Sequence, residues 1–249
     1  MPQPVILLAS SRKGTHLVLT ALAQHPEVYA YRQMLQVDGF YPNDTGQQLM
    51  ERFCRDGDPP AWSEHDFAST SVVVIPACWS RAAERHPGWW QTLHELRAPV
   101  IHLHRRNMLR WYVSWHLAIV SGQWIAGRKP DPTTLKIAID PLEFSRHVLN
   151  DWRNEFQARR FFAGHPVLHL WYEDLTADFD HQMDAVQSFL GIENRTLRPV
   201  CYKQQTRPLD EVIANYAELR DAWVGTPWQA FLEDETRTSV TPNEPRSEK

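Results

Sequence analysis

The feature that most constrains the fold is a short apolar run near the start of the chain, with a glycine-containing turn and a helical segment directly after it. The run covers positions 4–9 and reads PVILLA, and the turn covers positions 10–14. A short apolar run rich in branched residues is typical of a buried strand in a parallel sheet. Positions 15–24 then predict a helix, since Pro26 lies just beyond them.

The same alternation of strand and helix continues along the chain. Residues 28–70 contain several glycine and proline breakers and predict irregular structure, either a lid or acceptor-facing region or a plain surface excursion. Thr226 and Pro227 predict the N-cap and first position of a short last helix. Further strands are predicted at 71–75, 100–103 and 166–171, and further helices from 108 to a stop at Gly122, at 141–161, at 178–190 and at 209–223.

Strands that alternate with helices predict a parallel sheet with right-handed crossovers. We therefore expect an α/β fold, a three-layer sandwich in which a central parallel sheet of four or five strands has helices on both faces. The 249 residues show no internal repeat and no linker. A single domain is predicted over residues 1–235, with a disordered tail over residues 236–249.

Composition excludes several classes of protein. The net charge of −4 argues against broad nucleic-acid binding, which requires a basic surface. The three cysteines are few, far apart and without a CxxC pair, so we expect reduced thiols, a cytoplasmic location and no zinc site. The opening apolar run is short and has no basic segment before it, so neither a signal peptide nor a membrane span is predicted.

The first candidate site is the turn at residues 10–16. A helix N-terminus offers unpaired N–H groups and the positive end of the helix dipole, and it therefore binds anions. Gly14 lets the backbone approach a phosphate. Arg12 and Lys13 add positive charge, and Thr15 adds a hydroxyl. The kinase pattern GxxxxGKS/T is absent. The turn predicts a phosphate site, or else a basic turn without a ligand.

The second candidate site is the segment HRRN at 104–107, again between a strand and a helix. The arginine fork suits phosphate because it makes paired, charge-assisted hydrogen bonds. Ser114 lies eight residues after Arg106, a rise of about 12 Å in a straight helix. The two share one phosphate only if Arg106 lies in the turn and reaches forward. The alternative is a solvated basic turn.

The third candidate site is the segment WYEDL at 171–175, where a predicted strand ends. Ligands of open α/β sheets gather at the carboxyl ends of the strands. An aromatic side chain there is able to stack on a base, and Glu173 or Asp174 is able to orient a basic side chain. The alternative is an ordinary strand end followed by an acidic helix start.

Together these blocks resemble the sulfotransferases that use 3′-phosphoadenosine-5′-phosphosulfate (PAPS), in particular the bacterial branch with the nodulation-factor and trehalose sulfotransferases. The blocks follow the family's order over most of the chain. The matching segments are ASSRKGTH at 9–16, similar to the 5′-phosphosulfate loop S-x-P-R/K-S/T-G-T-T; Arg106-Asn107 with Ser114, similar to the 3′-phosphate motif; PVLHLWYEDL at 166–175 with FLG at 189–191; and the C-terminal positions 203–204 and 209–216.

The resemblance implies a P-loop-type nucleotide-binding fold, PAPS as donor and 3′,5′-ADP as product. Backbone N–H groups of the first turn would hold the 5′-phosphate, and Arg12 would stabilise charge on the bridging oxygen as the sulfuryl group leaves. Arg106 and Ser114 would bind the 3′-phosphate, Lys203 would assist, and Tyr172 would contact the nucleotide. The implied cofactor-binding set is Ser10, Ser11, Arg12, Lys13, Gly14, Thr15, His16, Arg106, Ser114, Tyr172 and Lys203.

The sequence departs from the family pattern where a general base is expected. Gln33 stands near the position of the catalytic carboxylate of the trehalose type, and an amide does not act as a base at neutral pH. The histidine of the cytosolic animal enzymes has no counterpart at 72–76. The base is unassigned, with His16, Asp38 and His104 as candidates. Within the first turn, Ala9, Ser11, Lys13 and His16 replace the family's usual Ser, Pro, small hydroxyl residue and Thr.

The sequence therefore predicts an enzyme that moves a sulfuryl group from PAPS to a hydroxyl, or as second choice an amine, of a small-molecule, carbohydrate or lipid acceptor. No metal is expected, and neither the acceptor nor the oligomeric state is indicated. Two alternatives stay open. A P-loop-like kinase would need Mg²⁺ ligands and the missing GKS/T. A catalytically silent nucleotide-binding relative would lack a base, as Gln33 suggests.

Overall fold

One parallel sheet organises the protein. The computed structural model describes residues 2–31, 48, 69–79, 87–124, 135–200 and 207–232. The strands are β1 (Gln3–Leu8), β2 (Val28–Ala30), β3 (Val72–Ala77), β4 (Val100–His104) and β5 (Val167–Trp171). They pair in the order β2-β3-β1-β4-β5, and every pairing is parallel. The described helices are α1 (Thr15–Leu22), α2 (Pro87–Glu95), α3 (Met108–Ser121), α4 (Pro141–Phe161), α5 (Tyr172–Ala177), α6 (Phe179–Leu190), α7 (Leu209–Val212), α8 (Tyr216–Ala222) and a 3₁₀ helix (Pro227–Leu232).

The two faces of the sheet bury different helices. Alternate residues of a strand point to opposite faces, so β1 sends Val5 and Leu7 to one side and Ile6 and Leu8 to the other. The first pair packs with α1 and α6, and the second pair packs with α2 and the end of α4. A third apolar cluster joins α3 and α4 to α7, α8 and the 3₁₀ helix. The predicted three-layer α/β sandwich is confirmed.

Several elements differ from the sequence prediction. The strand β2 lies within the segment predicted to be irregular, and the helix α2 was not predicted. Strand β3 continues through Pro76 instead of ending before it. The Tyr31 N–H donates to the Val74 oxygen at 3.0 Å, so the backbone groups of Val74 face β2. The backbone nitrogen of Pro76, two residues later, faces the same way but lies past the end of β2. Its missing N–H therefore breaks no ladder.

The predicted helix at 209–223 is interrupted. Ile213 leaves helical geometry and forms an isolated parallel bridge with Ile137. Backbone bonds from Ile137 to Val212 at 2.9 Å and from Ala214 to Ile137 at 2.8 Å hold this bridge. The predicted last helix is present in 3₁₀ form, although the Thr226 hydroxyl donates back to the Trp223 carbonyl at 2.8 Å instead of capping it. Within the described residues, no helix is both long and apolar enough to span a bilayer.

Helix α3 starts at a well-defined cap. The Asn107 side-chain oxygen accepts from the Arg110 N–H at 2.9 Å, which satisfies one of the unpaired N–H groups of the first turn. The Asn107 amide also donates to the Phe231 carbonyl at 3.2 Å. This residue therefore fixes both the start of α3 and the docking of the 3₁₀ helix. At its other end α3 stops at Gly122 in the left-handed conformation, as predicted.

We expect Asn107→Ala to lower the free energy of unfolding by about 1–2 kcal/mol, because it removes the cap and one bond to Phe231. The effect is measured by urea denaturation. Asn107→Ser keeps a capping oxygen and serves as the matched control, with a smaller loss. Equal losses in the two variants would show that the cap contributes nothing.

Candidate functional site

The three candidate segments meet at one edge of the sheet. Strands β1, β4 and β5 are neighbours and parallel, so the turns that follow them lie side by side. Two of these segments are the turns at residues 9–14 and 105–107, and the third, residues 172–174, is the first turn of helix α5. The carboxyl edge of a parallel sheet is where open α/β proteins bind ligands. The sequence prediction that these segments form one site thus agrees with where the fold places them.

Backbone contacts from three directions hold the first turn. The Ala9 N–H donates to the Ala77 carbonyl of β3 at 3.0 Å. The Trp111 indole of α3 donates to the Ser11 carbonyl at 2.9 Å. The Arg105 guanidinium donates to the carbonyl of the next residue, Arg12, at 3.0 Å. The turn is therefore fixed before any ligand binds, which lowers the entropic cost of binding.

Gly14 is required by both its conformation and its neighbour. Its φ is +100°, a region that side chains rarely adopt. A Cβ at this position would lie 2.7 Å from Cδ2 of Tyr172. On the same ring, the Arg105 guanidinium carbon lies 4.5 Å from the centroid. Burial raises the pKa of Tyr172. The uncharged Tyr172 ring thus packs between Gly14 and the Arg105 guanidinium.

Arg12 reaches from the first turn to α3. Its Nε donates to the Ser114 hydroxyl at 3.1 Å, and its Nη1 donates to the Trp124 carbonyl. Arg12 has a φ of +69°, so the turn itself is tightly bent here. Burial, followed by the charge of Arg105, lowers the pKa of Arg12 to about 10. The guanidinium still carries its charge at neutral pH.

Arg106 lies in the turn before α3, where the shared-phosphate hypothesis requires it. Its guanidinium forms two bonds with the Asp174 carboxylate, at 2.6 and 2.8 Å, and lies 4.9 Å from the Trp171 ring centroid. The structure therefore joins Ser114 to Arg12 and pairs Arg106 with an acid. Both alternatives of the sequence analysis therefore have a counterpart here: Asp174 pairs with Arg106, and the acids at 173–174 lie in the first turn of α5.

Glu173 organises the backbone of the second turn. Its carboxylate accepts from the N–H groups of Arg106, at 3.0 and 3.1 Å, and of Asn107, at 3.3 Å. It also lies 4.0 Å from the Arg105 Nε. This acid therefore holds the turn and neutralises part of the charge of Arg105, while Arg12 keeps its own charge directed toward α3.

The start of α1 offers groups that suit an anion. The first N–H groups of a helix lack intrahelical acceptors. Thr15, the first residue of α1, is buried, and its hydroxyl has no hydrogen-bond partner in the described part of the chain. Next to it, burial and the charge of Arg12 lower the pKa of His16. The His16 ring is therefore neutral at neutral pH.

Lys13 points away from this anion site. Its side chain is only 1% exposed, and its ammonium binds Asp151 at 2.7 Å and Glu155, both on α4. Asp151 also accepts from the Ser10 hydroxyl. The sequence analysis expected the positive charge of Lys13 to bind a ligand, whereas in the structure it is neutralised by the carboxylates of α4. Its backbone N–H stays a candidate for phosphate binding.

His104 belongs to the same buried network. Its Nδ1 lies 3.3 Å from Glu155, and its Nε2 lies 2.9 Å from Nδ1 of His169 on β5. Burial raises the pKa of Glu155, but the bond to His104 and the charge of Lys13 outweigh it and hold that pKa at about 2. Burial, with a contribution from His104, lowers the pKa of His102 to about 2.

Several positions named in the sequence analysis lie outside the described residues. These are Gln33, the base candidate Asp38, the C-terminal positions 203–204 with Lys203, and the predicted tail at 236–249. Sequence reasoning missed the partners of Lys13. Asp151 and Glu155 are four residues apart on one helix, a spacing that places both on one face. A lysine in place of the usual small hydroxyl residue was the signal that such partners exist.

Comparisons with known proteins give relatives along nearly the whole chain. No known protein-family model matches it. It is 25% identical over 240 residues to Nodulation protein H of Rhizobium tropici, covering 93% of this chain and 94% of that protein. It is 26% identical over 242 residues to Nodulation protein H of Rhizobium meliloti strain 1021, covering 93% and 96%. Among solved structures it is similar in fold to the sulfotransferase domain from the curacin biosynthetic pathway, with a TM-score of 0.51 and 15% identity over 96% of each chain.

We expect Lys13→Met to lower the free energy of unfolding by about 3–5 kcal/mol, because it leaves two carboxylates without their cation. The same substitution at the exposed Lys136 is the matched control and should change stability by less than about 0.5 kcal/mol. Both are measured by urea denaturation. Adding Asp151→Asn and Glu155→Gln to Lys13→Met should restore part of the loss. A small effect at Lys13 equal to that at Lys136 would contradict this assignment.

Proposed function

We propose that this chain, which belongs to the bacterial sulfotransferase family, moves a sulfuryl group from PAPS to a hydroxyl group of a small-molecule or carbohydrate acceptor. The family resemblance predicted from the sequence is confirmed, and so is the class of reaction, which is group transfer from a sulfate donor. PAPS as the particular donor and the residue roles below are our proposal.

The observation that carries the proposal is the meeting of two arginines at the start of a helix. Arg12 and Arg105 join through one hydrogen bond, and both lie beside the N-terminus of α1. Thr15 adds a buried hydroxyl without a protein partner among the described residues. Two guanidinium groups, a helix dipole and an unused hydroxyl favour a dianion over a neutral ligand. The 5′-phosphosulfate of PAPS has this charge.

On the 5′ side, the backbone N–H groups of Lys13, Gly14, Thr15 and His16 would hold the phosphate. In the reaction, the bond from sulfur to the bridging oxygen of PAPS breaks, and a bond from sulfur to the acceptor oxygen forms. The acceptor's proton passes to a base. Negative charge grows on the bridging oxygen as it leaves with 3′,5′-ADP, and Arg12 would stabilise that charge. Its pKa of about 10 keeps it cationic throughout.

On the 3′ side, we assign Arg106 and Ser114 to the 3′-phosphate. Arg106 is 45% exposed in its ion pair with Asp174. An exposed pair contributes at most about 1 kcal/mol, so exchange of Asp174 for a phosphate dianion costs little. Ser114 already lies within a hydrogen bond of Arg12 and so belongs to the same charged region. Tyr172 and Lys203 would contact the nucleotide from the third and C-terminal segments.

Of the candidate bases in the described residues, His16 fits best. It lies beside Arg12, whose charge helps keep the imidazole neutral and able to accept a proton. His104 is 1% exposed and both its ring nitrogens already have partners. We therefore propose His16 as the group that takes the acceptor's proton.

The first test is calorimetric titration of 3′,5′-ADP against ADP in the absence of metal. Because a charge-assisted bond to the 3′-phosphate contributes about 1.5–3 kcal/mol, the wild type should bind 3′,5′-ADP about 10- to 100-fold more tightly than ADP. Arg106→Ala should remove most of this preference and leave ADP binding unchanged. Arg220→Ala removes another exposed arginine with an acidic neighbour, Asp221, and is the matched control.

The outcomes separate the hypotheses. Equal affinity for 3′,5′-ADP and ADP would overturn PAPS as the donor and would favour the kinase hypothesis. If Arg105→Ala removed the preference for 3′,5′-ADP and Arg106→Ala did not, the 3′-phosphate contact would be assigned to Arg105 instead of Arg106. A preference for 3′,5′-ADP without turnover, in a screen of acceptors with labelled PAPS, would favour the catalytically silent relative.

For any acceptor that the screen identifies, His16→Gln should lower kcat by about 10²- to 10⁴-fold, the usual contribution of a general base. The affinity for 3′,5′-ADP should change little, since the backbone N–H is kept. The pH–rate profile provides the second readout. The wild type should lose activity as the pH falls below the depressed pKa of His16, and the variant should lack that limb. An unchanged limb in His16→Gln, with the limb lost in His104→Gln, would assign the base to His104.

A further inference from the structure

Three histidines share one face of the sheet beside the α4 helix. His102 and His104 alternate along β4 and therefore point to the same side. His169 of β5 is the register partner of His102. One nitrogen from each ring can be chosen so that all three lie within 4.8 Å of one another. His102 is 3% exposed and His104 is 1% exposed, while His169 is exposed and leaves a path to solvent.

The hydrogen bonds around His104 define which of its nitrogens is available. The Glu155 carboxylate only accepts hydrogen bonds, so Nδ1 of His104, 3.3 Å away, carries a proton. In the neutral ring, Nε2 then accepts a hydrogen bond from Nδ1 of His169, 2.9 Å away, and its lone pair would turn from that bond to a metal ion. A carboxylate that holds one nitrogen and leaves the other as a ligand is the usual arrangement behind a metal-bound histidine.

The distances suit a small metal ion. In a tetrahedral site with metal–nitrogen bonds of 2.0–2.1 Å, ligand nitrogens lie about 3.3 Å apart. The present separations, from 2.9 Å up to 4.8 Å, bracket that value. Metal binding would require the rings to turn toward this spacing. His169 would ligate through Nδ1, with its proton moved to Nε2.

The local charge does not oppose a cation. Asp151 and Glu155 carry two negative charges, which balance the positive charges of Lys13 and of Arg159, the latter near His169. Three imidazoles select zinc and its neighbours among the divalent transition metals over Mg²⁺ and Ca²⁺, which prefer oxygen ligands. We propose that His102, His104 and His169 form a binding site for a divalent transition metal ion, with Glu155 orienting His104. The site adjoins the proposed nucleotide site, because Glu155 also binds Lys13 of the phosphate turn, but the proposal does not rest on the function of that site.

The test uses the full chain, freed of metal with a chelator and then transferred to chelator-free buffer. Zn²⁺ is titrated by calorimetry, and Co²⁺ is titrated by visible absorption, which reports its coordination. We expect one equivalent of Co²⁺ to bind with the intense visible bands of a four-coordinate site that has three histidine nitrogens and a water molecule as ligands. His169→Ala should weaken binding at least 10-fold, and Glu155→Gln about 10- to 100-fold. His165→Ala is the matched control, since His165 and His94 form another pair of bonded histidines, 3.2 Å apart, and should bind as the wild type does.

His169 is exposed, so its variant is expected to fold, which thermal denaturation checks, and His169→Gln serves as a second variant. Absence of Zn²⁺ and Co²⁺ binding in the wild type would overturn the proposal and leave a hydrogen-bonded histidine cluster. So would binding that is unchanged in both His169 variants. A sulfur-to-cobalt charge-transfer band would show that cysteine supplies ligands, which would also overturn it.

Discussion

The arrangement of the phosphate turn depends on where one buried ammonium group finds its partners. A buried ammonium without a carboxylate costs several kcal/mol, and Lys13 is only 1% exposed. It binds Asp151 and Glu155, one helical turn apart on α4. These carboxylates also bind Ser10 of the turn and His104 at the end of β4. One ion-pair network therefore fixes the turn, a strand end and a helix relative to one another.

This network divides the charges of the turn into two groups. Lys13 points toward α4, where acids neutralise it, whereas Arg12 points to Ser114 on α3. The positive φ of Arg12 bends the chain between these two directions. Lys13, whose charge stabilises the fold, is thus kept apart from Arg12, whose charge is proposed to bind the ligand. The Arg105 guanidinium donates to the Arg12 carbonyl, and the Glu173 carboxylate, 4.0 Å from Arg105, neutralises part of the charge of Arg105. The site can therefore hold a dianion without leaving a buried charge unpaired in the protein itself.

The layers of the fold were predictable because each long strand is mostly apolar and each long helix has clear ends. Helix α4 begins with Asp140 capping and ends at Phe161, within the predicted bounds. The three-residue strand β2 was not predictable, since it is too short for a periodic pattern and depends on pairing with β3. The break at Ile213 likewise depends on Ile137, a residue 76 positions earlier. Local sequence carries no record of such pairings.

The site was predictable as a set of segments but not as a set of contacts. The family resemblance placed Arg106 and Ser114 together, whereas the structure joins Ser114 to Arg12, 102 positions away. The most informative residue was the one that departs from the family pattern. A lysine in place of a small hydroxyl residue, at a position that the fold buries, requires compensating acids elsewhere. Asp151 and Glu155 meet that requirement, and Glu155 in turn orders His104. A charged residue that replaces the family's usual residue at a buried position therefore predicts oppositely charged partners elsewhere in the chain, because burying an unpaired charge costs several kcal/mol.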